Sequence, residues 1–212
     1  KLVVSSSPHL VSPESVPVLM RQVVLALLPA LVAAGYFFGP YALFLVVLSA
    51  TTAVACEAAW QKVTGRPVSV HDWSAVITGI LLAYNLPPRA PWWLAVVGSA
   101  FAIIVAKQLF GGLGHNFINP ALAGRAFLLA SWPAAMTSWV TPFDARTTAT
   151  PLPLLIPKGQ ELAGVAPPAY RDLFVGSVPG CLGETSALAL LAGGLYLIWR
   201  RVIDWRIPAC YL

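Results

Sequence analysis

The chain has 212 residues, 58% of them hydrophobic and 10% charged, with a formal net charge of +5 and a mean hydropathy of +0.76. A soluble domain carries about 25% charged residues, so this composition excludes an ordinary water-soluble globule. Recurring runs of about 20 apolar residues point instead to an all-α polytopic membrane protein with about six hydrophobic helices, some of them short or broken.

The chain opens on KLVVSSSPHL without a Met and stops at IPACYL, inside what reads as a new hydrophobic segment; the pattern expected is that of a truncated chain. No signal-peptide pattern precedes the first apolar run. Six segments follow in order: 22–38, 40–60, a short third at 74–87 ending in NLPPRAPWW, 91–110, 120–139 with Pro133 inside it, and 184–199. Trp60, Trp92, Trp93, Trp139 and Trp199 fall near segment ends, as an interfacial aromatic belt requires. Cys56, Cys181 and Cys210 show no ligand spacing, so no metal site is assigned.

With Arg21 in the cytoplasm and all six segments crossing, Lys62, Arg66, Lys107, Arg125, Arg200, Arg201 and Arg206 share its side. That places eight basic residues inside against Arg89, Arg146, Lys158 and Arg171 outside, and it predicts that the loop 140–183 is extracytoplasmic. Non-helical backbone at membrane depth survives where it is buried or lines a cavity. GILLAYNLPP (79–88) and GGLGHNFINP (111–120) are the two places that qualify.

In the second of these, Asn119 before Pro120 is a strong helix start. Gly111, Gly112 and Gly114 run into it, with two readings open: a glycine turn plus a good cap, or a ligand loop that holds an anion on backbone N–H groups, with His115, Asn116 and Arg125 as polar contacts. Arg125 alone reads most simply as a side chain reaching the headgroups. In GCLGETSALALL, Glu184 falls in the first turn of the sixth segment, either capping it or meeting a cation. Glu57 and Asp72 invite the same suspicion, without a feature to raise it. No catalytic residue and no nucleic-acid partner are expected.

GGLGHNFINPALAGRAFLLASWP, then DARTTATPL, then GCLGETSALALL, together with SSSPH and ITGILLAYNLPP, resemble the RnfD-type membrane subunits of Rnf electron-transfer complexes. A related pattern belongs to the homologous B chain of the sodium-pumping NADH:quinone reductase. The resemblance covers essentially all 212 residues. It implies a single integral membrane domain over 1–212, forming the N-terminal part of the family fold, in a bacterial or archaeal cell (inner) membrane. It also implies partnership with the other Rnf subunits, the lipid bilayer and a flavin transferase, and FMN joined through its phosphate to a threonine in a motif close to D-x-x-S/T-G-A-T. Asp144, Thr147, Thr148, Ala149 and Thr150 occupy that motif, which makes Thr150 the acceptor. Thr148 stands where glycine is common.

Physically, a phosphoester requires an accessible hydroxyl on a turn, and Pro151 and Pro153 keep the residues before them extended. Asp144 either positions a metal-bound flavin donor or caps the turn. The resemblance therefore implies a subunit of an ion-translocating ferredoxin:NAD oxidoreductase that passes electrons through a covalent flavin and is not catalytic alone. The alternatives are a non-redox transporter or channel subunit, which sparse charge and broken helices suit equally, and a scaffold for partner subunits.

Overall fold

A computed structural model describes residues 15–144, 146–148, 150 and 168–211. The SSSPH stretch, Ala149 of the threonine motif, and Lys158 with the rest of 151–167 in the long loop lie outside the described residues.

The described chain is helical. α1 spans Val16–Phe38 and α2 Pro40–Val63. Both are long and apolar enough to cross a membrane. Gly39 (φ 80) lies between them and lets the chain reverse at once into Pro40. α3, Ser74–Tyr84, has only 11 residues, about 16 Å at about 1.5 Å per residue, half of what a bilayer core needs. Its short length matches the sequence expectation, and the cause is local: Pro87 and Pro88 supply no N–H to continue it. α4, Trp92–Ile103, runs on into a π-helical turn at Ile104–Gln108.

The expected fifth segment is two pieces. α5, Pro120–Ser131, stops at Trp132, and α6, Pro133–Met136, is a single turn beyond it. Trp132 at φ −135, ψ 63 breaks the helical path ahead of a proline. After α7 (Tyr170–Val175), α8 covers Ala187–Trp199 and α9 Arg206–Tyr211. The expected start of the sixth segment at 184 is thus too early. Ser186 caps α8 by accepting from Ala189 N, and Glu184 stands ahead of the helix rather than in its first turn.

α2 lies at the centre and packs on α3 and α4, α5 packs on α4, and α8 packs on α1. Small residues let these backbones approach, as expected where lipid tails offer no hydrophobic contrast. A Cβ on Gly79 would sit 2.5 Å from Ala50 Cα. At the same place the buried Ser49 hydroxyl donates to Gly79 O (2.7 Å) and lies 2.8 Å from Ser99 Oγ. This polar stitch ties α2, α3 and α4 inside a core that includes Leu45, Val46, Leu86, Leu94 and Leu128.

The open end of α3 is closed from far along the chain. Gly183 N donates to Tyr84 O (3.0 Å) and Leu182 N to Leu86 O (3.1 Å). The 181–184 segment therefore satisfies carbonyls that the short helix leaves free, as irregular backbone in an apolar setting demands.

Candidate functional site

The threonine motif sits on a small hairpin. Val140 bridges Thr147 in antiparallel sense, Thr141 N donates to Arg146 O (2.9 Å), and Thr148 N donates to Trp139 O (3.0 Å). At its tip Phe143 takes φ 67, and its N–H donates to Phe37 O at 3.0 Å, which anchors the tip to the end of α1. Asp144, Thr147 and Thr148 are exposed. Thr150 differs: it is half-buried and lines a cleft of about 380 Å³ with Leu173, Val178, Pro179, Gly180, Glu184 and Thr185. Of the three hydroxyls, it is the one with a walled space in front of it.

Behind that cleft the contacts lead into the bundle. Glu184 Oε1 accepts from Cys181 N (3.0 Å), so this carboxylate caps its own turn. The Cys181 thiol lies 3.5 Å from Asn85 O. Burial pushes that thiol up to about 12, with the neighbouring Glu184 carboxylate adding to the rise. Asn85 Nδ2 donates to Leu81 O (2.7 Å), and Asn85 Oδ1 accepts from Arg125 Nη1 (3.0 Å). Arg125 therefore turns inward to the end of α3 and does not reach for headgroups, contrary to the simplest reading of its sequence position.

At the opposite end of α5 is the glycine loop. Asn119 caps the helix as expected, its Oδ1 accepting from Ala121 N (3.0 Å), with Pro120 first in the helix. Gly111, Gly112 and Gly114 all have positive φ (114, 95 and 87). The N–H groups of Gly111, Gly112 and His115 are already donated to Gln108 O, Lys107 O and Gly112 O. The anion-holding reading of this loop thus loses three of its backbone donors, two of them on the glycines, to local turns. His115 and Gly114 are exposed and stand apart from the threonine motif; Asn116 faces a cavity of about 370 Å³ shared with Ser74, Thr78, Lys107 and Asn119. Its Oδ1 is buried without a partner among the described residues.

One constellation escaped the sequence reading. Lys107 Nζ pairs with Glu57 Oε1 at 2.6 Å, their side chains 2% and 1% exposed. Lys107 also donates to Ser74 Oγ (2.6 Å), Ser74 Oγ to Asp72 Oδ1 (2.6 Å), and Gln108 Nε2 to Glu57 Oε1 (2.6 Å). Glu57 Oε2 is left without a partner among the described residues. Lys107 and Arg125, both expected among the cytoplasmic basic residues, lie inside the bundle, which leaves six of those eight to support the orientation. The available signal was an ionisable residue inside each of two apolar runs, which marks function or pairing in a membrane setting.

Comparison with known proteins covers this whole arrangement. Residues 3–212 match the model of the NQR2, RnfD, RnfE family. The chain is 58% identical to the D subunit of the Na(+)-translocating ferredoxin:NAD(+) oxidoreductase complex of Acetobacterium woodii, over 100% of its own length and 66% of that protein's. It is 44% identical to the D subunit of the proton-translocating ferredoxin:NAD(+) oxidoreductase complex of Clostridium ljungdahlii, over 97% and 64% respectively. With the D subunit of the ion-translocating oxidoreductase complex of Halorhodospira halophila the identity is 40%, over 98% and 67%. The chain thus spans about two thirds of the length of these relatives. Matched from its third residue to its last, it belongs to the NQR2, RnfD, RnfE family.

Proposed function

We propose that this chain is part of the RnfD-type membrane subunit of an ion-translocating ferredoxin:NAD oxidoreductase complex, seated in the cell membrane beside the other subunits, and that Thr150 carries FMN as a phosphoester. Similarity along the whole chain to subunits of such complexes supports the assembly. The observation that carries the attachment is the position of Thr150. It ends the D-x-x-T-T-A-T motif and is the motif threonine that lines a cleft, while Thr147 and Thr148 are exposed on the hairpin.

The bound flavin would supply one-electron chemistry, and the protein's own part is position, burial and electrostatics. The Thr150 oxygen holds the phosphate end by a covalent bond. Asp144, exposed at the hairpin tip, is accessible to a flavin transferase working on the loop. Arg125 and Asn85 connect the cleft's inner wall to the end of α3, so a change of charge in the cleft acts on a short helix whose other end meets Lys107. Among the relatives, the translocated ion is sodium in one named complex and protons in another; this chain serves one of the two in the proposed complex.

The experiment is a denaturing gel of the complex viewed under ultraviolet light. The wild-type band is expected to fluoresce yellow and Thr150→Ala to be dark, with Thr147→Ala and Thr148→Ala keeping the label. Mass spectrometry that finds the adduct on Thr147 or Thr148 would refute the residue assignment. A colourless wild-type band accompanied by solute flux would support the non-redox transporter instead.

A further inference from the structure

α8 is held on one face. Gly193 seats it against the Ala26 backbone of α1, and on the opposite face Leu188, Leu191 and Leu195 are exposed at helical spacing. Ile198 continues the same stripe, three residues beyond Leu195. From Leu188 to Ile198 the helix is about 15 Å long at about 1.5 Å per residue. That is half of a hydrocarbon core of about 30 Å, so the stripe covers one leaflet.

At the foot of the stripe the chain turns on an arginine. Val202 N donates to Leu197 O and Arg201 N to Ile198 O, both at 2.9 Å. These are the paired bonds of a Schellman cap, where glycine is the usual residue at the left-handed position. Arg201 occupies that position here (φ 56). Glycine would take the backbone more easily, so what the arginine adds is its side chain. It lines a cavity of about 430 Å³ together with Ile198, Trp205 and Arg206. Asp204 shares the wall, but its Oδ1 accepts from Arg206 N (3.0 Å), and among the described residues neither guanidinium pairs with a carboxylate. Two arginines against one aspartate leave the cavity positive, and Arg200, exposed at the helix end, adds to it.

We propose that this is a seat for an anionic phospholipid, with its phosphate in the Arg201–Arg206 cavity and its acyl chains along the leucine stripe. A guanidinium binds phosphate oxygens in bidentate fashion and is weakly hydrated, which suits a headgroup at the edge of an apolar phase. Trp199 ends α8 and Trp205 lines the cavity, 75% and 61% exposed. Indole rings collect at that depth of a bilayer. A zwitterionic headgroup carries an ammonium that the guanidiniums repel, so the cavity favours a lipid with net negative charge. The seat does not involve Thr150 and stands whether or not that residue is modified.

The test reconstitutes the purified complex into vesicles containing phosphatidylglycerol or phosphatidylcholine with a photoreactive diazirine on the acyl chain. Crosslinks within α8 are mapped by peptide mass spectrometry, and thermal unfolding is read alongside. In the wild type, phosphatidylglycerol should label α8 more than about tenfold over phosphatidylcholine. Arg201→Gly should lower that ratio about fivefold while melting no lower than wild type, since glycine suits the turn. Arg206→Gln should lower the ratio likewise, and Arg206→Lys should keep most of it. Equal labelling by the two lipids in the wild type overturns the headgroup seat and leaves an ordinary lipid-facing helix. No labelling of α8 by either lipid overturns the proposal as a whole, because protein then covers this face. A preference that survives Arg201→Gly and Arg206→Gln combined shows that other charges hold the lipid, and it overturns the cavity as the seat.

Discussion

The Glu57–Lys107 network and the Thr150 hairpin are both polar, and they are built in opposite ways. In the first, charged groups are almost fully buried on long helices and hold one another at 2.6 Å. In the second, hydroxyls stand on a two-stranded turn with solvent on one side and a cleft on the other. A buried ion pair is costly to break because one partner left alone in an apolar setting has no water to replace it. A neutral hydroxyl at or near the surface, as on Thr147, Thr148 and the half-buried Thr150, has water at hand and loses little. The network therefore bears on folding, and the hairpin is free to bear on chemistry.

The sharpest way to break this contrast is Glu57→Leu. It strands the Lys107 ammonium and should cost about 3–5 kcal/mol, measured as thermal unfolding of the purified complex in detergent. Glu57→Leu/Lys107→Met should recover most of that loss. If the double variant is no more stable than the single one, the pair is not what holds α2 to the end of α4. Next in size is Gly79→Ala. Its Cβ would meet the Ala50 backbone at 2.5 Å, an overpacking expected to cost about 1–3 kcal/mol in the same assay. An unchanged midpoint would mean that α2 and α3 separate more easily than the Ser49 stitch suggests. The smallest effect belongs to Thr150→Ala at its half-buried position, which should cost no more than about 1 kcal/mol, the centre of the range for single substitutions, while the gel label disappears. A large loss of stability there would make Thr150 a structural residue and erase the contrast.

The difference between the regions also explains why one was legible and the other was not. Helical membrane character, the short third segment before Pro87–Pro88 and the Asn119–Pro120 cap are local properties: apolar run length, proline's missing N–H, a side-chain oxygen one step from an unpaired amide. The threonine motif is likewise contiguous, so its resemblance to a known family could be read directly. Pro133 was visible too, but whether a proline kinks a helix or ends it depends on what packs beside it. Pro29 sits inside an unbroken α1, whereas α5 stops at Ser131, just short of Pro133.

The sequence by itself thus determined the class of protein, its family, the helix starts and stops marked by prolines and caps, and the stretch that bears the threonines. Tertiary structure alone decided which polar groups meet. Glu57 finds Lys107, Arg125 finds Asn85, and the 181–184 segment closes the end of α3. It also decided that Thr150, rather than the exposed Thr147 or Thr148, lines a cleft. The physical reason is that a side chain's period along one helix fixes its face but not its partner. The partner is set by how closely small residues such as Gly79 let two backbones approach, and that distance is a property of both helices at once.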